Sequence, residues 1–243
     1  MKFSILASGS SGNSLFVESS KMRVLVDAGL SGKQIEARLA QIDIDPTTLN
    51  GIFVTHEHVD HVKGIGVLSR RYQIPIYMNE PTFKNLPSSV GEIPESLLHI
   101  LETSSSMGME DLQINSFPIS HDATEPMMFS FQQGEDRLAI VTDLGYVNQR
   151  IIDHVSGVDV LIWESNHDVD MLRVGPYPWN VKRRILSDIG HLSNQDSGEA
   201  LAEIMKGMGE SVYLAHLSDD NNVVELAHLT RSEEHTSELQ SRL

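Results

Sequence analysis

Cysteine is absent from this 243-residue sequence, and basic residues are scarce. Without thiols the chain forms no disulfide and offers no thiolate to a metal. No apolar run approaches the ~18–20 residues of a membrane span, so we predict a cytoplasmic protein without such a span. Lys and Arg number 18 against 34 Asp and Glu, which gives a formal net charge of −16. This balance weighs against a nucleic-acid substrate, whose phosphates are bound mainly by cationic groups.

Apolar residues are frequent enough to fill one core, at 40% of the chain. A length of about 230 residues suits one large α/β domain. We therefore predict a single domain over residues 1–230. The last thirteen residues, Arg231–Leu243, resemble the translation of a sequencing adapter, so we interpret them as a non-native tail. The expectation is that the natural protein continued past Thr230 with other residues.

A cluster of metal-ligand residue types follows a short apolar run, Ile52–Val54. Within six residues the chain carries His56, His58, Asp60 and His61. Residues two apart on an extended chain point the same way, so His56 and His58 suit one metal. The adjacent Asp60 and His61 diverge and suit a second. Neutral imidazoles and a carboxylate predict two divalent ions, zinc or manganese, with iron as a further option.

Candidate ligands also lie just after other predicted strands. Asp27 follows the strand Met22–Val26, where a carboxylate would orient the ligand loop through hydrogen bonds. A plain turn aspartate is the alternative reading. His121, Asp143 and His216 each follow a strand-like run as well. Candidate ligands that repeatedly follow strands favour a fold in which sheets are flanked by helices and the site lies along one edge of the sheets.

Two segments are candidates for substrate contact. The loop Ser8–Asn13 is rich in serine and glycine. It is either a long hairpin turn or a rim of polar groups that touches a phosphate, with Ser10 and Asn13 as the candidates. A predicted basic helix carries Lys182 and Arg183, which would add a local cationic patch.

Two histidines outside the ligand set are further candidates. His191 follows Gly190 and precedes Ser193 and Asn194, either of which can cap the next helix. A histidine there is placed to donate a hydrogen bond to a phosphate oxygen or to the departing oxygen. The alternative is a histidine that only caps or packs. His167, in another strand-end motif, is a candidate for substrate binding.

The order of these motifs resembles that of the metallo-β-lactamase fold hydrolases. The pattern His-x-His-x-Asp-His at residues 56–61 is similar to the family signature, and the later candidates follow in the family order. The resemblance implies an α/β fold, a four-layer αββα sandwich, with two bound metals. The implied ligands are His56, His58 and His121 for one metal, Asp60, His61 and His216 for the other, and Asp143 as the bridge.

The resemblance also implies a chemistry. Two bound ions would lower the pKa of a shared water, and Asp60 would take or return a proton as the aspartate of this signature does. We therefore regard Asp60 and His191 as the catalytic candidates. The same machinery hydrolyses phosphodiesters, thioesters or lactams, so the fold alone does not choose the substrate.

Four shorter motifs resemble one bacterial subgroup, the YycJ group, also called WalJ or VicX. They are Ser8–Ser14, Glu164–Asp168, Tyr177–Trp179 and Gly190–Asn194. The group is encoded with a two-component cell-wall regulatory system and is associated with exonuclease activity on DNA. The resemblance thus implies a metal-dependent phosphodiesterase, a DNA exonuclease. The alternatives are a small-molecule hydrolase acting on a thioester, lactone or cyclic nucleotide, and a non-catalytic regulatory protein.

Overall fold

A computed structural model describes residues 1–207 and 209–229. The chain forms two compact units. Unit 1 comprises residues 1–118 and 123–135, and unit 2 comprises residues 119–122 and the described residues from Asp136 onwards. Among the described residues, no helix is long and apolar enough to cross a membrane. The predicted non-native tail, Arg231–Leu243, lies outside the described residues.

Unit 1 contains most of the strands. Its strands are β1 (Lys2–Ala7), β2 (Ser14–Glu18), β3 (Arg23–Val26), β4 (Gly51–Phe53), β5 (Ile76–Asn79), β6 (Leu98–Leu101), β7 (Ser106–Met109), β8 (Leu112–Pro118) and β9 (Met127–Gln133). Its helices are α1 (Gly32–Ala40), α2 (Val59–Val62), α3 (Ile65–Tyr72) and α4 (Glu80–Lys84).

The first six strands form one sheet in chain order. Strands β1, β2 and β3 pair antiparallel, and β3 to β6 pair parallel. The antiparallel β1–β2 pair makes the loop at residues 8–13 a hairpin connection. Every residue of β4 is buried, as expected for a parallel strand covered on both faces. This strand carries the chain directly into the ligand cluster.

After the ligand cluster the chain forms two short helices, α2 and α3, rather than one continuous helix. The chain breaks at Gly64, whose N–H donates to the carbonyl of Ala28 at 2.7 Å. A Cβ on this residue would lie 2.5 Å from the carbonyl oxygen of Leu30. The break therefore comes from close backbone packing, which a hydrophobic pattern does not reveal.

Unit 2 is built on three parallel strands. They are β10 (Asp136–Val141), β11 (Val160–Glu164) and β12 (Ser211–Ala215), paired in the order β10–β11–β12. The helices are α5 (Gln149–Val155), α6 (Val169–Val174), α7 (Trp179–Ile185) and α8 (Asn194–Ile204). The central strand β11 ends in Trp163 and Glu164, both fully buried. Each of the three strands leads into a polar loop that carries predicted site residues.

Candidate metal centre

The ligand loop of unit 1 is organised by the carboxylate of Asp27. It accepts hydrogen bonds from Thr55 N at 2.9 Å, Thr55 Oγ1 at 2.8 Å and His61 Nδ1 at 2.7 Å. Burial raises the pKa of Asp27, and His61 and the hydrogen bonds oppose that rise. A carboxylate without a proton only accepts, so His61 gives it the Nδ1 hydrogen. The Nε2 atom of His61 is then the one with a lone pair for a metal.

Thr55 also orients the first of the predicted ligands. Its Oγ1 donates to Asp27 and lies 2.9 Å from His56 Nδ1, so the Nδ1–H of His56 donates to this oxygen. The Nε2 atom of His56 is 3.1 Å from Nδ1 of His58. Two nitrogens that share a tetrahedral zinc at ~2.0 Å are ~3.3 Å apart. The spacing of this pair therefore fits one coordination shell.

Asn13 and Gly29 hold the other end of the ligand loop. The backbone N–H of Asn13 donates to the carbonyl of Asp60 at 2.7 Å. Its side-chain amide lies 3.3 Å from Asp60 Oδ2 and 3.0 Å from His61 Nε2. A Cβ on Gly29 would lie 1.6 Å from the carbonyl oxygen of Asp60. Asn13 is thus buried against two predicted ligands, whereas Ser10 is exposed on the same loop.

In unit 2 the buried carboxylate of Glu164 joins two predicted site histidines. Its Oε1 accepts from Nδ1 of His216 at 2.8 Å and of His191 at 2.9 Å, and its Oε2 accepts from Leu144 N at 2.7 Å. Burial by itself raises the pKa of Glu164, but the two histidines outweigh burial and lower it to about 2. Both rings are therefore oriented by one ionised group.

Glu164 has no role of its own among the residues predicted from the sequence. The signal available in the sequence was the position of Glu164. It is the last residue of β11, just as Asp27 directly follows β3. A carboxylate at a strand end near candidate histidines is the pattern that identified Asp27. Applied again, the same criterion selects Glu164.

Asp143 lies between two of the histidines in unit 2. Its Oδ1 is 3.5 Å from His216 Nε2 and 3.8 Å from His121 Nε2. His121 Nδ1 donates to the carbonyl of Gly190 at 3.2 Å, which turns Nε2 toward the carboxylate. Burial lowers the pKa of His121, so the ring favours the neutral form that binds metals. Potential ligand atoms of His121, Asp143 and His191 lie within 4.8 Å of one another.

Three predicted site residues have left-handed backbone conformations. The φ angles are 60° at Asp27, 56° at Asp143 and 57° at His216. Each comes just after a strand, where a sharp turn re-aims the side chain. Positive φ is uncommon outside glycine and costs about 1–3 kcal/mol at functional sites. The surrounding hydrogen bonds must offset that strain.

The candidates for substrate contact differ in their surroundings. His167 is 1% exposed, and within the described residues neither ring nitrogen has a hydrogen-bond partner. Lys182 is buried too, and its Nζ donates to the carbonyls of Arg173 at 2.7 Å and Gly175 at 2.8 Å. These contacts favour a structural role for Lys182. The side chain of Arg183 is exposed.

A family model described as the beta-lactamase superfamily domain matches residues 22–217. The chain belongs to this superfamily. It is 46% identical over 233 residues to exodeoxyribonuclease YycJ of Bacillus anthracis, covering 96% of this chain and 88% of the relative. It is equally identical over 231 residues to exodeoxyribonuclease WalJ of Streptococcus pneumoniae serotype 2, covering 94% and 86%. The predicted membership of the YycJ group within the superfamily is confirmed.

A solved structure supports the fold. The metallo-beta-lactamase fold protein YhfI of Bacillus subtilis aligns with a TM-score of 0.73 at 17% identity, over 95% of this chain and 91% of that one. Within the described residues, the strands of this superfamily member form two sheets of mixed direction, with helices between strands. The predicted α/β sandwich of the metallo-β-lactamase type is confirmed.

The donor set fits a divalent metal. In His61, His121 and His216 the Nδ1–H is bound by a carboxylate or a carbonyl, which leaves Nε2 as the metal-binding atom. Histidines that ligate metals in proteins almost always show this arrangement. It fixes the tautomer before any metal binds.

Proposed function

We propose that the chain is a metal-dependent phosphodiesterase that removes nucleotides from DNA ends. The observation that carries this proposal is the 46% identity, over nearly all of the chain, to proteins named as exodeoxyribonucleases. The oriented imidazoles of the two units add independent support, because hydrolysis of a phosphodiester at neutral pH needs groups that activate water. A DNA substrate is consistent with the predicted cytoplasmic location.

The proposed centre holds two divalent ions, zinc or manganese. The side chains that would bind them are His56, His58, Asp60, His61, His121, Asp143 and His216. When bound, such ions lower the pKa of a water and neutralise charge on the phosphodiester. Asp27 and Glu164 support the assignment, because each directs the Nε2 atom of a proposed ligand away from itself.

Two side chains handle protons in the proposed reaction. Asp60 takes or returns a proton, and the amide of Asn13 steadies its Oδ2 atom from 3.3 Å. His191 in its protonated form keeps Nδ1–H on Glu164 and offers Nε2–H to the departing oxygen. Its side chain is 18% exposed, in keeping with access to substrate.

The residues proposed to serve substrate binding are those that the sequence predicts. They are Ser10, Asn13, His167, Lys182 and Arg183. Ser10 and Arg183 are exposed, and in the proposal they contact phosphates. His167 and Lys182 are buried, so in the proposal they support the loops beneath the substrate.

The decisive experiment compares Asp60→Ala with the unaltered protein. The chain loaded with zinc or manganese should degrade linear DNA, and Asp60→Ala should abolish this activity while keeping the circular dichroism spectrum. Asp153→Ala is the matched control, because Asp153 is an exposed carboxylate on α5. Hydrolysis of bis-p-nitrophenyl phosphate without degradation of DNA would favour a small-molecule phosphodiesterase. Full nuclease activity in the Asp60 variant would reveal a contaminating enzyme and overturn the proposal.

A further inference from the structure

Glu57 lies between two proposed metal ligands, His56 and His58, and is not itself one of the ligands. Its side chain is half-buried. One carboxylate oxygen, Oε1, accepts hydrogen bonds from the backbone N–H of Thr124 at 2.8 Å and from Thr124 Oγ1 at 2.6 Å. A single oxygen therefore binds both donors of one residue. This contact ties Thr124 to the segment that carries His56 and His58.

The segment that contains Thr124 depends on such contacts for its conformation. Residues 119–126 form neither helix nor strand. Hydrogen bonds to a carboxylate are the stronger class of hydrogen bond, and here two of them act on the backbone and the side chain of the same residue. Glu57 thus restrains a stretch of chain that has no regular hydrogen-bond ladder of its own.

Two further hydrogen bonds hold the same stretch within unit 1. Met127 N, at the start of β9, donates to the carbonyl of Thr55 at 3.1 Å. Asn79 Nδ2, at the end of β5, donates to the carbonyl of Glu125 at 2.7 Å. The contact made by Glu57 differs from both, because it comes from a side chain inside the cluster of proposed ligands.

The position of Thr124 limits the position of a proposed ligand. Thr124 follows His121 by three residues. Three residues of fully extended chain span at most about 11 Å. Holding Thr124 therefore narrows the range of positions open to the backbone of His121. Restraints of this kind lower the entropy that is lost when a site closes on its ligand.

The second carboxylate oxygen of Glu57 lacks the partners that a purely structural group would have. Its Oε2 atom is buried, and within the described residues no hydrogen-bond donor reaches it. A buried acceptor that is left unsatisfied costs about 1–3 kcal/mol. Negative charge that no donor compensates favours a cation nearby. Between two histidines proposed to bind a divalent ion, that charge would favour occupancy of the site.

We propose that Glu57 is a positioning residue of the metal centre. Its Oε1 atom holds Thr124, and with it the segment that follows His121, in the conformation that binds metal. Its Oε2 atom adds negative charge beside His56 and His58. The inference rests on the metal centre of the proposed function, but it does not depend on DNA as the substrate.

The test measures the metal affinity of the full chain rather than its activity. Metal-free protein is titrated with zinc in competition with a chromophoric chelator. Glu57→Ala should weaken zinc binding roughly 10- to 100-fold, the usual effect of losing a residue that orients metal ligands. Glu57→Gln should fall between this variant and the unaltered chain, because it keeps an oxygen acceptor for Thr124 but lacks the charge. Glu80→Ala, at an exposed carboxylate on α4, is the control.

A second substitution tests whether Glu57 acts through Thr124. Thr124→Val removes the hydroxyl donor, keeps the backbone N–H and should weaken zinc binding less than Glu57→Ala does. In the Glu57→Ala background it should have almost no further effect, because both changes break the same contact. The metal-free Glu57→Ala protein should unfold within about 5 °C of the metal-free unaltered chain, which separates positioning from a general loss of stability.

Three results would overturn the inference: equal zinc affinity of Glu57→Ala and the unaltered chain, a loss in Glu57→Gln as large as in Glu57→Ala, or additive effects of the two substitutions. If the unaltered chain binds no divalent ion, the metal centre of the proposed function fails together with the inference. Zinc binding with the expected pattern in a chain that degrades no DNA would support the role of Glu57 and refute the exonuclease function.

Discussion

Two buried carboxylates perform the same task in the two units. Asp27 receives the Nδ1 hydrogen of His61, and Glu164 receives those of His191 and His216. Each is placed by a strand end and fixed by backbone N–H groups, Thr55 N for the first and Leu144 N for the second. An imidazole held in this way has one nitrogen left for chemistry, and its direction is set by the fold.

The proposed role of His191 can be tested directly by substitution. His191→Ala should retain the fold and the metal content but lower kcat roughly ten- to a thousandfold, as loss of one transition-state donor or general acid does. Steady-state kinetics together with elemental analysis would measure both quantities. His154→Ala removes an exposed histidine on α5 and serves as the control. Loss of metal would make His191 a ligand, and normal turnover would make it structural.

His167 should make stability depend on pH. Burial lowers its pKa from 6.5 to about 4. Between these two values the unfolded chain binds a proton that the folded chain does not, so the free energy of unfolding falls as pH drops from 6.5 toward 4. The loss attributable to His167 is up to about 3 kcal/mol.

A pair of denaturation series would measure this effect. His167→Gln should flatten the decline of unfolding free energy between pH 6.5 and pH 4, relative to the unaltered chain. The same decline in both proteins would show that other groups cause it. Glu164 affects only the acid end of this window, because its pKa is lowered from 4.5 to about 2 and its contribution to stability is lost as pH falls from about 4.5 toward 2.

At the scale of elements, the segment that follows β4 carries four proposed ligands, with His56 and His58 in the loop before α2 and Asp60 and His61 within α2. Two neighbouring segments hold it, the loop after β1 and the turn after β3. Asn13 N and Ala28 N donate to the carbonyls of Asp60 and His61 at 2.7 and 2.9 Å. The backbone contacts are closer than any side chain would permit, so the geometry of the loop depends on glycine.

Gly29→Ala should therefore disrupt the loop. The added Cβ would lie 1.6 Å from the carbonyl oxygen of Asp60, so the backbone must move. We expect a loss of at least about 3 kcal/mol of stability, the upper end for overpacking, and weaker metal binding. Thermal unfolding and metal titration would record these changes. Gly108→Ala on β7 is the control, because its nearest neighbour would be 3.5 Å away. Equal behaviour of the two variants would show that the loop tolerates displacement.

For the whole molecule, the question is how a chain of net charge −16 binds DNA. Long-range repulsion opposes the encounter, so binding must depend on a few local cations and on the metal ions. Such binding is sensitive to salt, because each phosphate contact releases counterions. The basic segment at residues 173–187 is the place where the chain concentrates positive charge.

Salt should therefore inhibit DNA degradation strongly, and Arg183→Ala should reduce the slope of log affinity against log salt by ~0.7–0.9, the value for one phosphate contact. Arg150→Ala, an exposed arginine on α5, should leave the slope unchanged. Binding measured at several salt concentrations gives both slopes. An unchanged slope in the Arg183 variant would exclude this side chain from the phosphate contacts.

The local order of the chain was predictable from its sequence. The predicted strand Met22–Val26 forms over Arg23–Val26, and Ser31 precedes α1 as its N-cap. These features depend on neighbours in the chain, because alternation and capping act over a few residues. The α/β fold class followed from the ordered motifs, and the proposed ligands were named from the same motifs.

The contacts between residues that are distant in the sequence are set only by the tertiary structure. Lys182 is predicted from the sequence to bind substrate, but its ammonium group donates to the carbonyls of Arg173 and Gly175. Glu164 has no predicted role, yet this carboxylate joins His191 and His216 across 27 and 52 positions of the chain. Residue type and spacing determine which chemistry is available. Burial and hydrogen-bond partners, which arise only on folding, determine which atom of each side chain carries it out.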